Sequence, residues 1–295
     1  MLEFRDIDIS DKEWINSILK KSDFRGCEYS FANNMAWKRL SNSKICRFKD
    51  FYICRSDNDG GGYSFTFPAG DGDFKDVLTE MKKYSENSGH TLKLWNVSPE
   101  KAAFIGNELG FKIRTFITED SYDYVYLTDE LINLKGRKFH QKRNHLKKAN
   151  EYNWQYMAVT EKDFDECIIF CTKNYNSKQS NNNYSSVAEQ YALDTYFRYF
   201  NELGLCGGMI KSDGRIIALS IGEKLNSDTF CTHIEKADTS YPGIYPLINN
   251  RFTAASAADF RYINREEDMG IEGLRKAKRS YNPVFMIEKN TVEFI

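Results

Sequence analysis

Between residues 10 and 127 the chain runs through one order of hydrophobic periods, and between 154 and 289 it runs through that order again. In the first pass, Ser10 and Glu13 give a capping-box signal ahead of Trp14, Ile15, Ile18 and Leu19, which share one helical face. Strand-like runs follow at 45–48 and 51–54, and the Gly60-Gly61-Gly62 turn leads into the alternating strand 63–67. Asp73 caps a helix that turns Phe74, Val77, Leu78, Met81 and Tyr84 inward and stops near Gly89. A strand at 92–97, a helix opened by Ser98-Pro99 and ended by Gly110, and strands at 111–117 and 122–127 close the unit. The second pass has a strand at 154–159, then a helix capped by Thr160 with Phe164, Cys167, Ile168 and Cys171 on its core face. A polar loop, 177–186, precedes a helix carrying Tyr191, Tyr196, Phe197 and Phe200. Ser212-Asp213-Gly214 is a hairpin signal between two strands. A strand at 229–235, a helix at 244–258, a strand at 260–264, a helix at 271–279 and a strand at 284–289 complete the series. Each pass reads as helices, an antiparallel meander, then helix–strand–helix–strand. The expected class is α+β in two tandem domains, 1–130 and 154–295, with a linker at 131–153.

That linker concentrates charge. Seven Lys and Arg stand between Lys135 and Lys148, in a chain whose formal net charge is −1. As a helix it has one narrow apolar stripe, Phe139 and Leu146 with Ala149 beside it, and cations on the other sides. No acid lies between Lys135 and Asn150 to form i,i+4 pairs. A plain solvated connector is one reading; a helix facing a polyanion is the favoured one, with Lys135, Lys138, Lys142 and Arg143 as the contacts. The near-zero overall charge confines any such contact to this neighbourhood.

Other classes are excluded or weakened. The start, MLEFRDIDIS, has no apolar signal-peptide core, and no run approaches the roughly 20 apolar residues that span a bilayer. Seven cysteines, an odd number without framework spacing, suggest reduced thiols and a cytoplasmic location. Cys167 and Cys171 read as core packing, and none of the four histidines pairs with Cys or Glu at a metal-ligand spacing, so no metal is expected. His233 and Glu235 read as structural.

The densest chemistry is the run 263–283, INREEDMGIEGLRKAKRSYNP. Its acids precede a helix and its bases end it, an order that suits the helix dipole without any function. Its functional reading makes Glu267 and Asp268 bases for an amine or hydroxyl nucleophile and Tyr281 a proton donor, with Arg275 and Lys278 as anion-binding cations.

The order of elements resembles the GNAT (acyl-CoA N-acyltransferase) fold, and NVSPEKAAFIGNELGF at 96–111 is similar to that fold's late signature. The family's phosphate loop should then open a helix in each half. The first half offers Pro68-Ala69-Gly70-Asp71-Gly72-Asp73, whose carboxylates would repel pyrophosphate; the second, Ala237 to Ile244, has one glycine and no Arg or Gln in place. No cofactor is therefore expected, and acyl-CoA is disfavoured. LKGRKFHQKRNHLKKA, with GIEGLRKAKRSYNP near the end, resembles the C-terminal domain of phosphatidylglycerol lysyltransferases, and more closely its soluble relatives. The resemblance covers nearly the whole chain. It implies tandem GNAT-like folds joined by a basic helix, kinship with peptidoglycan-bridge aminoacyltransferases, and transfer of an amino acid from aminoacyl-tRNA to an acceptor. A CoA-dependent N-acyltransferase and a non-catalytic module that binds RNA or another polyanion are the rival expectations.

Overall fold

A computed structural model describes residues 2–176 and 183–295, so the 177–182 part of the expected polar loop lies outside the described residues. The contacts divide the chain into two compact units. The first comprises residues 1–123, 267–271 and 286–295; the second comprises 124–266 and 272–285.

In the first unit the strands lie in the order Arg5–Asp6, Lys44–Phe48, Phe51–Asp57, Tyr63–Thr66, Lys93–Val97, Asn290–Phe294, Ile113–Ile117, and Ala69–Gly70 pairs with Phe51–Asp57. Tyr63–Thr66 and Lys93–Val97 run parallel, so helix Phe74–Asn87 carries the chain across between them. Its inward face, Val77, Leu78 and Met81, packs with Phe51, Ile53, Phe65 and Leu94 in one core. Strand Asn290–Phe294 adds Val292 and Phe294 to the same core, at 0% and 2% exposure. The capping box before helix Lys12–Ser22 is formed by Asp8 and Asp11, not by Ser10 and Glu13. A 3-10 turn at Ile9–Asp11 precedes the helix and moves the first unpaired N–H groups two residues upstream.

The second unit repeats the topology. The order is Phe285–Ile287, Asp123–Leu127, Tyr262–Asn264, Thr229–Ala237, Arg215–Lys224, Cys206–Ser212, Gln155–Ala158. Thr229–Ala237 and Tyr262–Asn264 are parallel and joined through helix Ile244–Ser256. The Ser212-Asp213-Gly214 hairpin forms as expected, with φ of 48° at Asp213 and 76° at Gly214, a left-handed pair that matches strand twist. One sequence expectation is overturned: the strand near 122–127 does not close the first half. Asp123–Leu127 lies inside the second sheet, with Tyr126 opposite Ile263. Tyr124, Val125 and Tyr126 are each at most 1% exposed, so both faces of this strand need cover, which an interior sheet position supplies. Among the described residues no helix is long and apolar enough to cross a membrane.

The basic helix spans His140–Ala149 and is entered through a 3-10 turn at Arg137–Phe139. Its apolar stripe is buried, with Phe139 and Ala149 at 0% exposure. Helix Ile244–Ser256 is its neighbour. Gly243, at φ 83°, caps that neighbour, and a side chain there would overlap the backbone carbonyl of His145. Asn250 donates to the carbonyls of Leu131 and Ile132 at 2.8 and 2.7 Å, which ties the segment before the basic helix to the same neighbour. Gly243→Ala should therefore lower stability by at least about 1–2 kcal/mol from its left-handed backbone alone, more once His145 must move. By contrast Gly273, in helix Glu272–Arg279 with open space around it, should gain up to about 1 kcal/mol when changed to Ala. Urea unfolding midpoints of the two variants check both signs.

Candidate functional site

The second unit buries an arginine. Arg265 follows strand Tyr262–Asn264, and its side chain is 10% exposed. A guanidinium stays charged in such surroundings, so it must carry its own compensation. Glu235 on strand Thr229–Ala237 supplies the counter-charge at 2.7 Å, and the other Glu235 oxygen accepts from Asn249 at 3.0 Å. Burial is the largest single influence and opposes the Arg265 charge, but Glu235 together with Tyr126 and Tyr281 outweighs it and raises the pKa of the guanidinium. The guanidinium carbon also lies 4.7 Å from the Tyr281 ring centroid and 5.6 Å from that of Tyr126. Tyr126 donates its hydroxyl to the Lys278 carbonyl at 2.8 Å.

Lys142, from the basic helix, also meets the Tyr281 ring. Its Nζ lies 3.5 Å from the ring centroid and 2.6 Å from Ser280 Oγ. It is 9% exposed, and burial first, then the Arg265 charge, push its pKa down to about 8, with Glu235 opposing. A substantial fraction of this amine is therefore neutral at physiological pH, which an ordinary lysine is not. Burial raises the Tyr281 phenol pKa, so the group keeps its proton. The Tyr281 hydroxyl and Arg265 Nη1 are buried without a well-formed hydrogen bond among the described residues. A lysine poised near neutral pH, a phenol donor and a fixed cation thus share one small region.

The sequence-expected residues fall into three groups. Lys142, Lys278 and Tyr281 are part of this assembly. Lys142 and Lys278 point inward, so they are corrected from phosphate contacts to interior groups; Lys278 Nζ donates to the Arg265 and Glu266 carbonyls at 2.5 and 3.0 Å. Arg143 is half-buried, and it donates to the Leu134 and Gly136 carbonyls at 2.5 and 2.7 Å, bracing the turn before its own helix. Lys135 and Lys138 are exposed, with Lys138 paired to Glu130 at 2.6 Å; Arg275 is partly exposed. Arg137, Lys138, His140, Gln141 and Arg143 line an open depression of about 680 Å³. Glu267 and Asp268 belong to the first unit. There Asp268 accepts from the Gly270 amide at 2.9 Å and shapes a turn, and Glu267 lies 3.5 Å from Cys27 Sγ. Arg265 and Ser280 were missed, and Glu235 was read as structural only. Arg265 sits in the INREED run, and its only sequence signal is a basic residue directly after a buried strand.

Of the two helix starts that the GNAT resemblance assigns to a CoA pyrophosphate, one is taken by a carboxylate and the other is crowded by backbone. Asp73 Oδ1 accepts from the amides of Lys75 and Asp76, at 2.9 and 3.1 Å, so a carboxylate already fills the anion position of helix Phe74–Asn87. At helix Ile244–Ser256 the His145 carbonyl stands against Gly243. An acceptor oxygen there repels a phosphate.

Two further groups of metal-ligand type are assembled by the fold, against the expectation from spacing: Cys27, Asp123 and Glu267 in the first unit, and Cys231, His233 and Glu266 in the second.

The family described as phosphatidylglycerol lysyltransferase, C-terminal, matches residues 19–292. A conserved protein of unknown function from Bacteroides thetaiotaomicron is 34% identical, with 100% of each chain covered and a TM-score of 0.92. The L-PGS of Bacillus licheniformis is 13% identical over 96% of this chain and 91% of that one, with a TM-score of 0.68. It shares the tandem GNAT-like α+β fold. An uncharacterised protein of Mycoplasmoides gallisepticum is 26% identical over 189 residues, 61% of this chain; the match spans 58% of that protein's length.

If burial depresses Lys142, replacing it should change the pH dependence of stability in a defined direction. A lysine with a folded pKa of about 8 and an unfolded value of 10.5 binds fewer protons folded than unfolded between those pH values. Wild-type stability therefore rises with pH across that window, and the charged, buried form is least favourable below it. Lys142→Met should be stabilised relative to wild type near pH 7, with the difference shrinking from pH 8 to 10.5. Chemical denaturation of both proteins across that range measures it. A constant difference would mean that Lys142 keeps an ordinary pKa.

Proposed function

Since the chain belongs to the phosphatidylglycerol lysyltransferase C-terminal family, a family of transferases, we propose that it moves an aminoacyl group from aminoacyl-tRNA to an amine or hydroxyl acceptor. The observation that carries the reading is Lys142. One helix presents this buried amine, with a pKa near 8, beside Tyr281 and at the same time exposes Lys135, Arg137, Lys138, Lys147 and Lys148 at or beside its outer faces. The exposed cations suit a tRNA backbone, which is read as charge and shape. The buried amine suits proton transfer.

In the proposed reaction the neutral Lys142 amine takes the proton of the acceptor N–H or O–H as that atom attacks the ester carbonyl carbon. Tyr281, held protonated by burial, donates a hydrogen bond to the carbonyl oxygen as it becomes an oxyanion, and Arg265 adds a fixed positive charge. The bond to the ribose oxygen breaks, and that oxygen takes the proton from Lys142. Glu267 and Asp268 remain proposed acid–base groups of the first unit, without a place in this scheme. The carboxylate at the Asp73 helix start and the His145 carbonyl close to Gly243 weigh against the CoA-dependent rival.

The test uses a pool of aminoacyl-tRNA carrying labelled amino acids, with hydroxylamine as a surrogate nucleophile. The wild type should speed release of label, and Lys142→Met and Tyr281→Phe should each lower that rate by about 10²-fold or more. Lys147→Ala and Lys148→Ala should leave the chemical rate alone. Each should weaken tRNA binding and flatten its log–log salt dependence by about 0.7–0.9. Tight tRNA binding without any release would make the protein a binding module. Stabilisation by acetyl-CoA, about 2.7 kcal/mol at a hundred times Kd, would favour the acyltransferase rival.

A further inference from the structure

We propose that Cys231, His233 and Glu266 form a zinc-binding site in the second unit, with Glu223 orienting the histidine. Cys231 and His233 are two apart on strand Thr229–Ala237, where a bulge at His233 interrupts the pairing with strand Arg215–Lys224. Their Sγ and Nδ1 atoms lie 3.7 Å apart. Glu266 Oε1 lies 2.8 Å from Nδ1 and 3.9 Å from Sγ. Zinc–sulfur, zinc–nitrogen and zinc–oxygen bonds of about 2.3, 2.0 and 2.1 Å place tetrahedral ligand atoms about 3.3–3.6 Å apart. The three separations bracket that range, so an ion needs only small side-chain shifts.

The surroundings fit as well. His233 Nε2, the nitrogen not facing the ion, lies 3.1 Å from Glu223 Oε1, the carboxylate–histidine arrangement that fixes a metal-binding imidazole. Tyr196 stacks on the ring at 5.5 Å and 16°, which holds its plane. Glu266 has a φ of 58°, a backbone state that a glutamate rarely adopts. Asn264 Oδ1 accepts from its amide at 2.7 Å and Lys278 Nζ donates to its carbonyl at 3.0 Å, so this unusual state is held from two sides and aims the carboxylate at His233. A thiolate and a carboxylate neutralise a dication, and the protons now on Sγ and Nδ1 leave as the ion enters. The thiolate and imidazole select zinc over magnesium or calcium.

The group in the first unit shows what a different outcome looks like. Lys289 Nζ lies 2.7 Å from Asp123, 2.8 Å from Glu28 and 3.4 Å from Cys27 Sγ, an extra cation that is no member of the ligand set. The charged group between the second unit's carboxylates is instead His233 itself, whose Nδ1 proton an ion displaces. Only the second unit's group is proposed for the ion.

The experiment is a titration of the chelator-treated full chain with ZnCl2 and, separately, CoCl2. One equivalent should bind, and the cobalt form should show a thiolate-to-cobalt charge-transfer band in the near ultraviolet. Cys231→Ser should abolish that band while Cys27→Ser leaves it. Glu223→Gln, which removes no ligand, should keep the stoichiometry and weaken zinc affinity about 10- to 100-fold. Absence of stoichiometric binding in the wild type would overturn the site, whether or not the variants fold. A cobalt spectrum without thiolate character would overturn it equally, as would a band that disappears with Cys27→Ser instead.

Discussion

An arginine cannot shed its charge, and the second unit places one where little water reaches. Much of the candidate site follows from that. Glu235 must face Arg265 at 2.7 Å, and Asn249 must occupy the remaining carboxylate oxygen. The flat guanidinium needs flat neighbours, which Tyr126 and Tyr281 provide. Lys142 then meets a ring that already has a cation near it. Burial first, and then the Arg265 charge, depresses the Lys142 pKa, and Glu235, which already pairs with Arg265, only partly opposes them. The protonation behaviour of one buried cation is thus tied to the compensation of another.

Much of this architecture could be read from residue order, because local rules acted without competition. The Ser212–Gly214 turn and the buried cysteines of helix Phe164–Asn176 follow from turn chemistry and period. Strand pairing across the chain did not follow. A run such as Asp123–Leu127 carries the same alternation wherever it pairs, and nothing local told it to join Tyr262–Asn264. The C-terminal strand has the same ambiguity, since Val292 and Phe294 would suit any open apolar face.

The site was half legible for a related reason. Charge density identified the basic helix, but composition cannot say which lysine turns inward. Phe139 and Ala149 set the buried stripe, and Lys142 lies one turn after Phe139 on its flank. The long methylene stem allows the residue to be interior without breaking the amphipathic pattern. Tyr281 and Lys278 drew notice through their neighbours in the run; Arg265, just after one strand, and Glu235, on another, became a pair only in three dimensions. The Cys231-His233 spacing matched no metal-ligand pattern in the sequence, and Glu266, more than thirty residues away, joins it only in the fold.

The two units show how one topology handles a helix that begins where an anion could bind. In the first, the chain's own Asp73 takes the free amides of helix Phe74–Asn87. In the second, Gly243 lets the backbone of the basic helix come against the start of helix Ile244–Ser256. The first arrangement puts a carboxylate at the helix start, and the second crowds the start with a backbone carbonyl. The exposed positive charge lies instead on and beside the basic helix, inside the second unit and not in a linker, at Lys135, Lys138, Lys147 and Lys148. Exposed cations of this kind each interact weakly and are screened by salt, so any effect they have grows with the number engaged together.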